Sequence, residues 1–401
     1  MRVFLSAGEP SGDHHAARLV GALRARRADV ECVALGGPCL EEAGAVLLAD
    51  MTRLAVMWFG RALLNLHRFV ELARRAERHF LDRRPDVCVL VDFPGFHWWI
   101  AWRAKRHGIP VVFYCPPQIW AWGSWRVRKL RRLVDHVLAA LPFEDRWFRD
   151  HGVRSTLVGH PFFDAPPSRR PPAAGAAPLV LLLPGSRLQE IDANLASLVG
   201  AAAIVCEAVP GVRVVIGALH ERHAAIVRER TGGSVEVVAG RTRALMTEAT
   251  AAIAVSGSVS LELLSARVPT VIVYRIGGVA YVVQSFFRHA RHITLVNLLA
   301  TDEPVGPVRP VWRPPVGVPA ADPSALFPEY LSVADPARRA AGHVVGWLTD
   351  PDARRAVVAR LDEVARSVEG PGSADRAAAA VLAIAAADAP RTASAARRQA
   401  A

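Results

Sequence analysis

VLVDFPGFHWWIAWRAKRH, residues 89–107, contains a strand end, a turn and a helix start in one short stretch. Val89, Leu90 and Val91 close an unbroken apolar run, and Pro94-Gly95 mark a turn just beyond it. An apolar run this short, without polar alternation, reads as a strand buried on both faces. The residues after it return to helical spacing, with Trp98, Trp99 and Trp102 leading into Arg103, Lys105 and Arg106. Asp92 stands where the strand stops, an unusual place for a carboxylate with no further purpose.

The same grammar repeats on both sides. Strand-like runs occupy 2–6, 30–35, 86–91, 110–115, 136–141 and 155–158, and amphipathic stretches such as 16–27 and 69–80 separate them. Buried strands alternating with helices predict a parallel sheet covered on both faces. APPSRRPPAAGAAP (165–178) interrupts the pattern and reads as a linker. The alternation then restarts at 179–183, 212–217, 235–238, 251–255 and 270–274. The expected fold class is α/β, with two domains whose parallel sheets point their carboxyl ends at a central cleft. The expected boundaries are 1–165 and 179–345, separated by a linker at 166–178. Helices over 346–388 are expected to return onto the first domain, followed by a disordered tail at 389–401. The proline-rich stretch 302–323 reads as a surface excursion.

Composition narrows the classes. Of 401 residues, 52% are apolar and 21% charged, a globular balance. The formal charge of +12 comes almost wholly from arginine, since Lys105 and Lys129 are the only lysines. That surplus fits a GC-rich coding sequence and selection for anionic partners equally well. The five cysteines form no CxxC pair, which predicts reduced thiols rather than a disulfide framework or a zinc site. The N-terminus enters a strand at once and is not a signal peptide. No apolar run approaches the ~20 residues that span a bilayer. A cytoplasmic protein is expected, one able to touch a membrane surface.

Four segments could carry chemistry. In LLLPGSRLQEI (181–191), a strand ends at a glycine turn before a helix. Backbone amides at the helix start, the Ser186 hydroxyl and the Arg187 guanidinium suit a bound anion. SGSVSLELLSA (256–266) offers small residues for close approach, with Ser258 at the turn and Glu262 one helical turn on, where a carboxylate could hold a ribose diol. The simpler reading is that Ser258 caps the helix and Glu262 complements its dipole. GEPSGDHH (8–15) follows the first strand, but its spacing is not GxGxxG, and Ser11 or Asp13 could serve only as a cap. His14 and His15 diverge by ~100° on a helix and cannot chelate one metal together. YCPPQIWAWGSWRVRKLRR (114–132) joins three tryptophans to a cationic helix. Such a surface could stack bases, lie at a bilayer or hold an amphipathic substrate.

Taken in order, GEPSGD (8–13), VDFPGF (91–96), WAW (120–122), LPFE (141–144), VGHPFFD (158–164), LLPGSR (182–187), SGSVSLE (256–262), YR (274–275) and VNLLA (296–300) resemble the lipid-A-disaccharide synthases. The similarity spans about residues 1 to 300 and resumes at FPEYL (327–331). The resemblance implies the glycosyltransferase-B arrangement of two Rossmann-like domains. It also implies transfer of 2,3-diacylglucosamine from UDP to the 6-hydroxyl of 2,3-diacylglucosamine 1-phosphate. Carried onto matching positions, Asp92 becomes the general base. Ser186 and Arg187 neutralise the departing diphosphate, Glu262 holds the ribose and Ser258 lies near the diphosphate. Arg275, Asn297, Ser11 and His160 fall on further motif positions expected to bind substrate. No cofactor and no metal is implied; the partners are UDP-diacylglucosamine and an acylated glucosamine phosphate, with peripheral contact expected on the inner face of the inner membrane and the oligomeric state open. LAVMWFGRALLNLHRF (54–69) and FHWWIAWRAKRH (96–107) are the candidate membrane segments.

The chain departs from the family pattern at Pro116-Pro117-Gln118-Ile119 and Gly123-Ser124, at Pro10, and in the 302–323 insertion. Two other readings share parts of this pattern. Another UDP-sugar enzyme, such as a 2-epimerase or a different lipid glycosyltransferase, would keep PGSR and the SGS turn. A nucleic-acid-binding module would explain the arginines, but they are scattered and no RRM, OB or helix-turn-helix signature is present.

Overall fold

The computed structural model describes residues 1–52, 66–164 and 177–399, with side chains to residue 387. Most of the expected linker and residues 54–65 of the first candidate membrane segment lie outside the described residues. The chain divides into two compact units, one formed by Met1–Asp164 with Gly370–Ala401 and the other by Ala165–Glu369.

The first unit holds strands β1 (Arg2–Ala7), β2 (Glu31–Gly36), β3 (Val46–Asp50), β4 (Val87–Val91), β5 (Val111–Tyr114), β6 (His136–Ala139) and β7 (Ser155–Leu157). They form one parallel sheet in the order β3-β2-β1-β4-β5-β6-β7. β4 and β5 are buried along their whole length, as an apolar run without alternation requires. One face of the sheet packs Val3, Leu5, Val87 and Val89 against Ala16, Leu19 and Leu23 of the helix Pro10–Arg26. Ala377, Ala378, Val381 and Ala385 of the helix Ser373–Gln399 complete that layer.

The second unit holds β8 (Leu179–Leu183), β9 (Arg213–Ala218), β10 (Glu236–Ala239), β11 (Ala251–Val255), β12 (Thr270–Arg275) and β13 (Glu329–Ser332). Its parallel sheet runs β10-β9-β8-β11-β12-β13. The helix Leu188–Ala208 has the length and mean hydropathy (1.5) of a membrane span, contrary to the sequence reading that no run comes close. It instead buries Ile191, Leu195, Leu198, Ala202 and Val205 in the core of this unit.

The expected block of C-terminal helices at 346–388 is divided between the units. Ala337–Thr349 and Pro351–Val368 stay with the second, where Ala340, Val344 and Trp347 join its core and Arg267 pairs with Asp362 and Glu369. Only Ser373–Gln399 joins the first unit, and its backbone stays helical through most of the stretch expected to be a disordered tail. Asp164 makes the junction by accepting from Arg18 Nη2 (2.8 Å), Ser373 N (2.8 Å) and Ser373 Oγ (2.7 Å). Arg376 Nε donates to the carbonyl of Val158 at 2.8 Å.

Candidate functional site

In each sheet the chain order reverses at one pair of neighbours, β1/β4 in the first unit and β8/β11 in the second. In open α/β sheets, the carboxyl ends at such a reversal leave a crevice where ligands bind. Asp92 and Ser11 fall at the first of these places, and Ser186, Arg187, Ser258 and Glu262 at the second.

In the first unit the pairing of Ala7 with Val91 sets Gly8 beside Asp92. Ser11 is exposed in the first turn of the helix after β1. The turn packs so close that a Cβ added at Gly12 would lie 3.4 Å from the Val91 carbonyl oxygen and 3.8 Å from Asp92 Cβ. Asp92 is half-buried, and it and Phe93 are consecutive non-glycine residues at positive φ, 53° and 46°. Left-handed backbone is rare for L-residues, because Cβ crowds the following carbonyl, and it collects at functional sites. The other motif residues of this unit are structural. Asp13 is buried and accepts from Gly37 N (2.7 Å) and Cys39 N (2.9 Å), so it pins the turn after β2 rather than capping its own helix. Glu144 accepts from Trp120 Nε1 (3.1 Å) and Leu141 N (3.3 Å), and its burial raises its pKa to about 7. His160 accepts from Phe162 N at 3.2 Å and packs against His15, which makes it a turn former.

In the second unit, the pairing of Leu183 with Ala254 brings the PGSR and SGS turns to one edge. Gly185 takes φ 110°, where a Cβ would fall 2.5 Å from that of Glu190. Glu190 was overlooked in the sequence. Its carboxylate accepts from Ser186 N (3.0 Å) and Arg187 N (3.2 Å), so these amides are already engaged. A side chain three residues past the turn commonly reaches back in this way, and that spacing was the available signal. Ser258 is exposed and makes no capping bond with its side chain, which overturns the simpler reading of it as a cap. Glu262 is half-buried, and desolvation raises its pKa against the opposing pull of Arg243. Arg275 ends β12 with its amide held by Asn194 Oδ1 (2.8 Å), while Asn194 Nδ2 donates to the Glu190 carbonyl (2.9 Å). Tyr274 feels both Glu190 and Arg187 and joins the same cluster.

Asn297 does not present a free amide. Its Nδ2 donates to the Phe327 carbonyl (2.8 Å) and to Glu329 Oε2 (2.9 Å), and its Oδ1 accepts from Phe327 N (2.8 Å). It is a buried staple between the segment after β12 and the start of β13, and the substrate-binding role expected for it gives way to that one. Its partners lie about thirty residues further on, beyond the reach of local sequence reading.

The described tryptophans of the first unit separate into two sets. Trp98, Trp120 and Trp147 are buried, whereas Trp99, Trp102, Trp122 and Trp125 are exposed. Trp98, Trp99, Trp102, Arg128, Lys129 and Arg132 help line a groove of about 750 Å³. Arg106 sits over the Trp102 ring at 4.7 Å and Lys129 over Trp98 at 5.2 Å. The groove combines aromatic faces with cations, a surface suited to an anionic amphiphile.

Comparison with known proteins agrees with this architecture. Residues 3–307 match the family model described as lipid-A-disaccharide synthetase. The lipid-A-disaccharide synthase of Myxococcus xanthus is 37% identical over 75% of this chain and 81% of its own length. That of Anaeromyxobacter dehalogenans (strain 2CP-C) is 32% identical over 96% and 97%. Among solved structures, MurG of Acinetobacter baumannii aligns with a TM-score of 0.53 at 13% identity, covering 95% of this chain and 99% of that one. A UDP-N-acetylglucosamine 2-epimerase described as putative, from Listeria monocytogenes, aligns at 0.62 and 11% over 95% of each. These distant structures support the fold alone, two Rossmann-like sheets in the glycosyltransferase-B class. With the family model matched over most of its length, the chain belongs to the lipid-A-disaccharide synthase family and is a glycosyltransferase that forms the lipid A disaccharide.

Proposed function

We propose that Asp92 is the general base of this transfer. The acceptor 6-hydroxyl gives its proton to the Asp92 carboxylate as its oxygen attacks the anomeric carbon of the UDP-sugar. The bond from that carbon to the diphosphate breaks, its electron pair leaves with UDP, and the configuration inverts. The observation that carries this reading is the left-handed elbow holding Asp92 at the chain reversal of the first sheet. On the second unit, Ser186, Arg187 and the start of the long helix take the diphosphate, Ser258 lies beside it, and Glu262 binds the ribose. Arg275, at the end of β12, helps bind the substrate. A diphosphate here exchanges with the Glu190 carboxylate for the Ser186 and Arg187 amides. Ser11 borders the acceptor. The arginine and the helix dipole carry the phosphate charge, so the enzyme is expected to need no metal and to retain its rate in EDTA.

The donor is UDP-2,3-diacylglucosamine and the acceptor is the acylated glucosamine 1-phosphate. Both are amphiphiles, so the enzyme works as a peripheral protein on the cytoplasmic face of the inner membrane, with the Trp/Arg groove toward the lipid. Cosedimentation with anionic vesicles tests this, and absence of binding at low and high salt alike speaks against it.

Asp92→Asn tests the base. Transfer should fall by about 10²–10⁴-fold, the range for a positioned general base, with UDP affinity retained. Full activity in that variant removes Asp92 from the mechanism. Turnover of UDP-N-acetylglucosamine alone, without the acylated donor, would favour the 2-epimerase-like reading.

A further inference from the structure

His97 is a buried polar side chain of the first unit that the mechanism above leaves unused. It has no measurable exposure, and both ring nitrogens are committed. Nδ1 lies 2.6 Å from the carbonyl oxygen of Asp92, and Nε2 lies 3.0 Å from Oγ of Ser6, itself fully buried at the end of β1. A carbonyl only accepts, so Nδ1 carries the hydrogen. Burial pushes the imidazole pKa down to about 4, which keeps the ring neutral and leaves Nε2 to accept from the Ser6 hydroxyl. The ring therefore ties the backbone of Asp92 to the neighbouring strand.

Phe93, the second residue of the elbow, packs its ring into the same turn. Its ring meets the His97 ring edge-on at 5.9 Å and 80°. It occupies the space beside Gly8 so fully that a Cβ there would fall 2.4 Å from Phe93 Cγ. Two successive left-handed residues persist only where their surroundings enforce them. The bond from His97 Nδ1 is made to the carbonyl between those two residues.

We propose that His97, held by Ser6, is the positioning residue for Asp92: it locks the left-handed elbow that aims the carboxylate at the acceptor hydroxyl. This rests on Asp92 being the base. Without the Nδ1 bond the elbow relaxes toward ordinary backbone and the carboxylate shifts. A misplacement near 1 Å can cost about 10²-fold in rate.

The test uses the full-length enzyme, with kcat, KM for the UDP donor and UDP affinity measured in Asp92 and Asp92→Asn backgrounds. His97→Leu fills the volume without either hydrogen bond, and His97→Asn keeps an amide N–H where Nδ1 stood. His97→Leu should lower kcat about 100-fold, with KM for the donor and UDP affinity within about twofold of wild type. His97→Asn should recover kcat to within about tenfold of wild type, which loss of packing alone does not predict. In the Asp92→Asn background His97→Leu should cost nothing further, because its effect acts through the carboxylate. Wild-type kcat in His97→Leu, or an equal loss in both backgrounds, overturns the positioning role while the base assignment stands. Full activity in Asp92→Asn defeats the base assignment itself, and the positioning role with it. If thermal melts show that His97→Leu does not fold, Ser6→Ala takes its place. It should lower kcat severalfold in the Asp92 background only, and an unchanged kcat overturns the proposal.

Discussion

Mild acid should unfold the first unit steeply. Burial lowers the pKa of His15 to about 4, of His97 to about 4 and of His160 to about 3, from an unfolded value of 6.5. The stability these rings contribute is fully present above pH 6.5. It is lost as the pH falls toward the folded values, because only the unfolded chain takes up their protons. Glu144 works in the opposite sense. Burial raises its pKa from 4.5 to about 7, so its contribution is complete below pH 4.5 and is lost as the pH rises through 7. Between roughly pH 6 and 4.5 the unfolded chain therefore binds three more histidine protons and one fewer carboxyl proton, a net of two. Two protons correspond to about 3 kcal/mol per pH unit, a large share of a typical ~5–15 kcal/mol domain stability. His79 and His136, also lowered by burial, act in the same sense as the three histidines. Urea titrations at pH 7.5, 6.5, 5.5 and 5.0, followed by tryptophan fluorescence, read this unit selectively, since eight of the ten tryptophans precede residue 151. With an m-value near 2 kcal/mol/M, the midpoint should drop by more than about 1 M per pH unit below 6. His15→Gln should halve that slope. A midpoint constant within about 0.2 M from pH 6.5 to 5, or a slope indifferent to His15→Gln, refutes the reasoning.

Two further substitutions test structural roles. Asn297→Ala strands the Phe327 amide and carbonyl in the interior, and it should destabilise the second unit by about 2–4 kcal/mol in urea unfolding, where a loss under about 1 kcal/mol would contradict the staple. Asp164→Ala removes an acceptor shared by Arg18 and Ser373, and should make the C-terminal helix the first site cut in limited proteolysis at a cost of about 3 kcal/mol.

The centre of each sheet was legible because β4, β5, β8 and β11 are buried on both faces and leave unbroken apolar runs. β3 and β13 went unread for the opposite reason. Both are short edge strands: β3 is apolar but no residue of it is fully buried, and β13 holds only two apolar residues between Glu329 and Ser332. Asp92 stood out because an acid at the end of a buried strand has few local explanations. Its support did not, since His97 reaches back five residues to a carbonyl and across to Ser6, contacts that only the tertiary fold creates. Asn297 shows the reverse error, a polar motif residue whose partners turn out to be internal backbone. Glu190 is legible by its spacing from the PGSR turn, although Arg187 is the more conspicuous charge there.

The return of Ser373–Gln399 to the first unit makes that unit discontinuous in the order of synthesis. At about 5–20 residues per second, the ribosome takes roughly 10–40 s to make the intervening two hundred residues. Throughout that interval the core of the first unit lacks Ala377, Ala378, Val381 and Ala385. The nascent first unit is thus a natural client for chaperones until the last helix emerges. A stop codon just before that helix would release a chain whose second unit is whole and whose first unit is exposed to proteolysis.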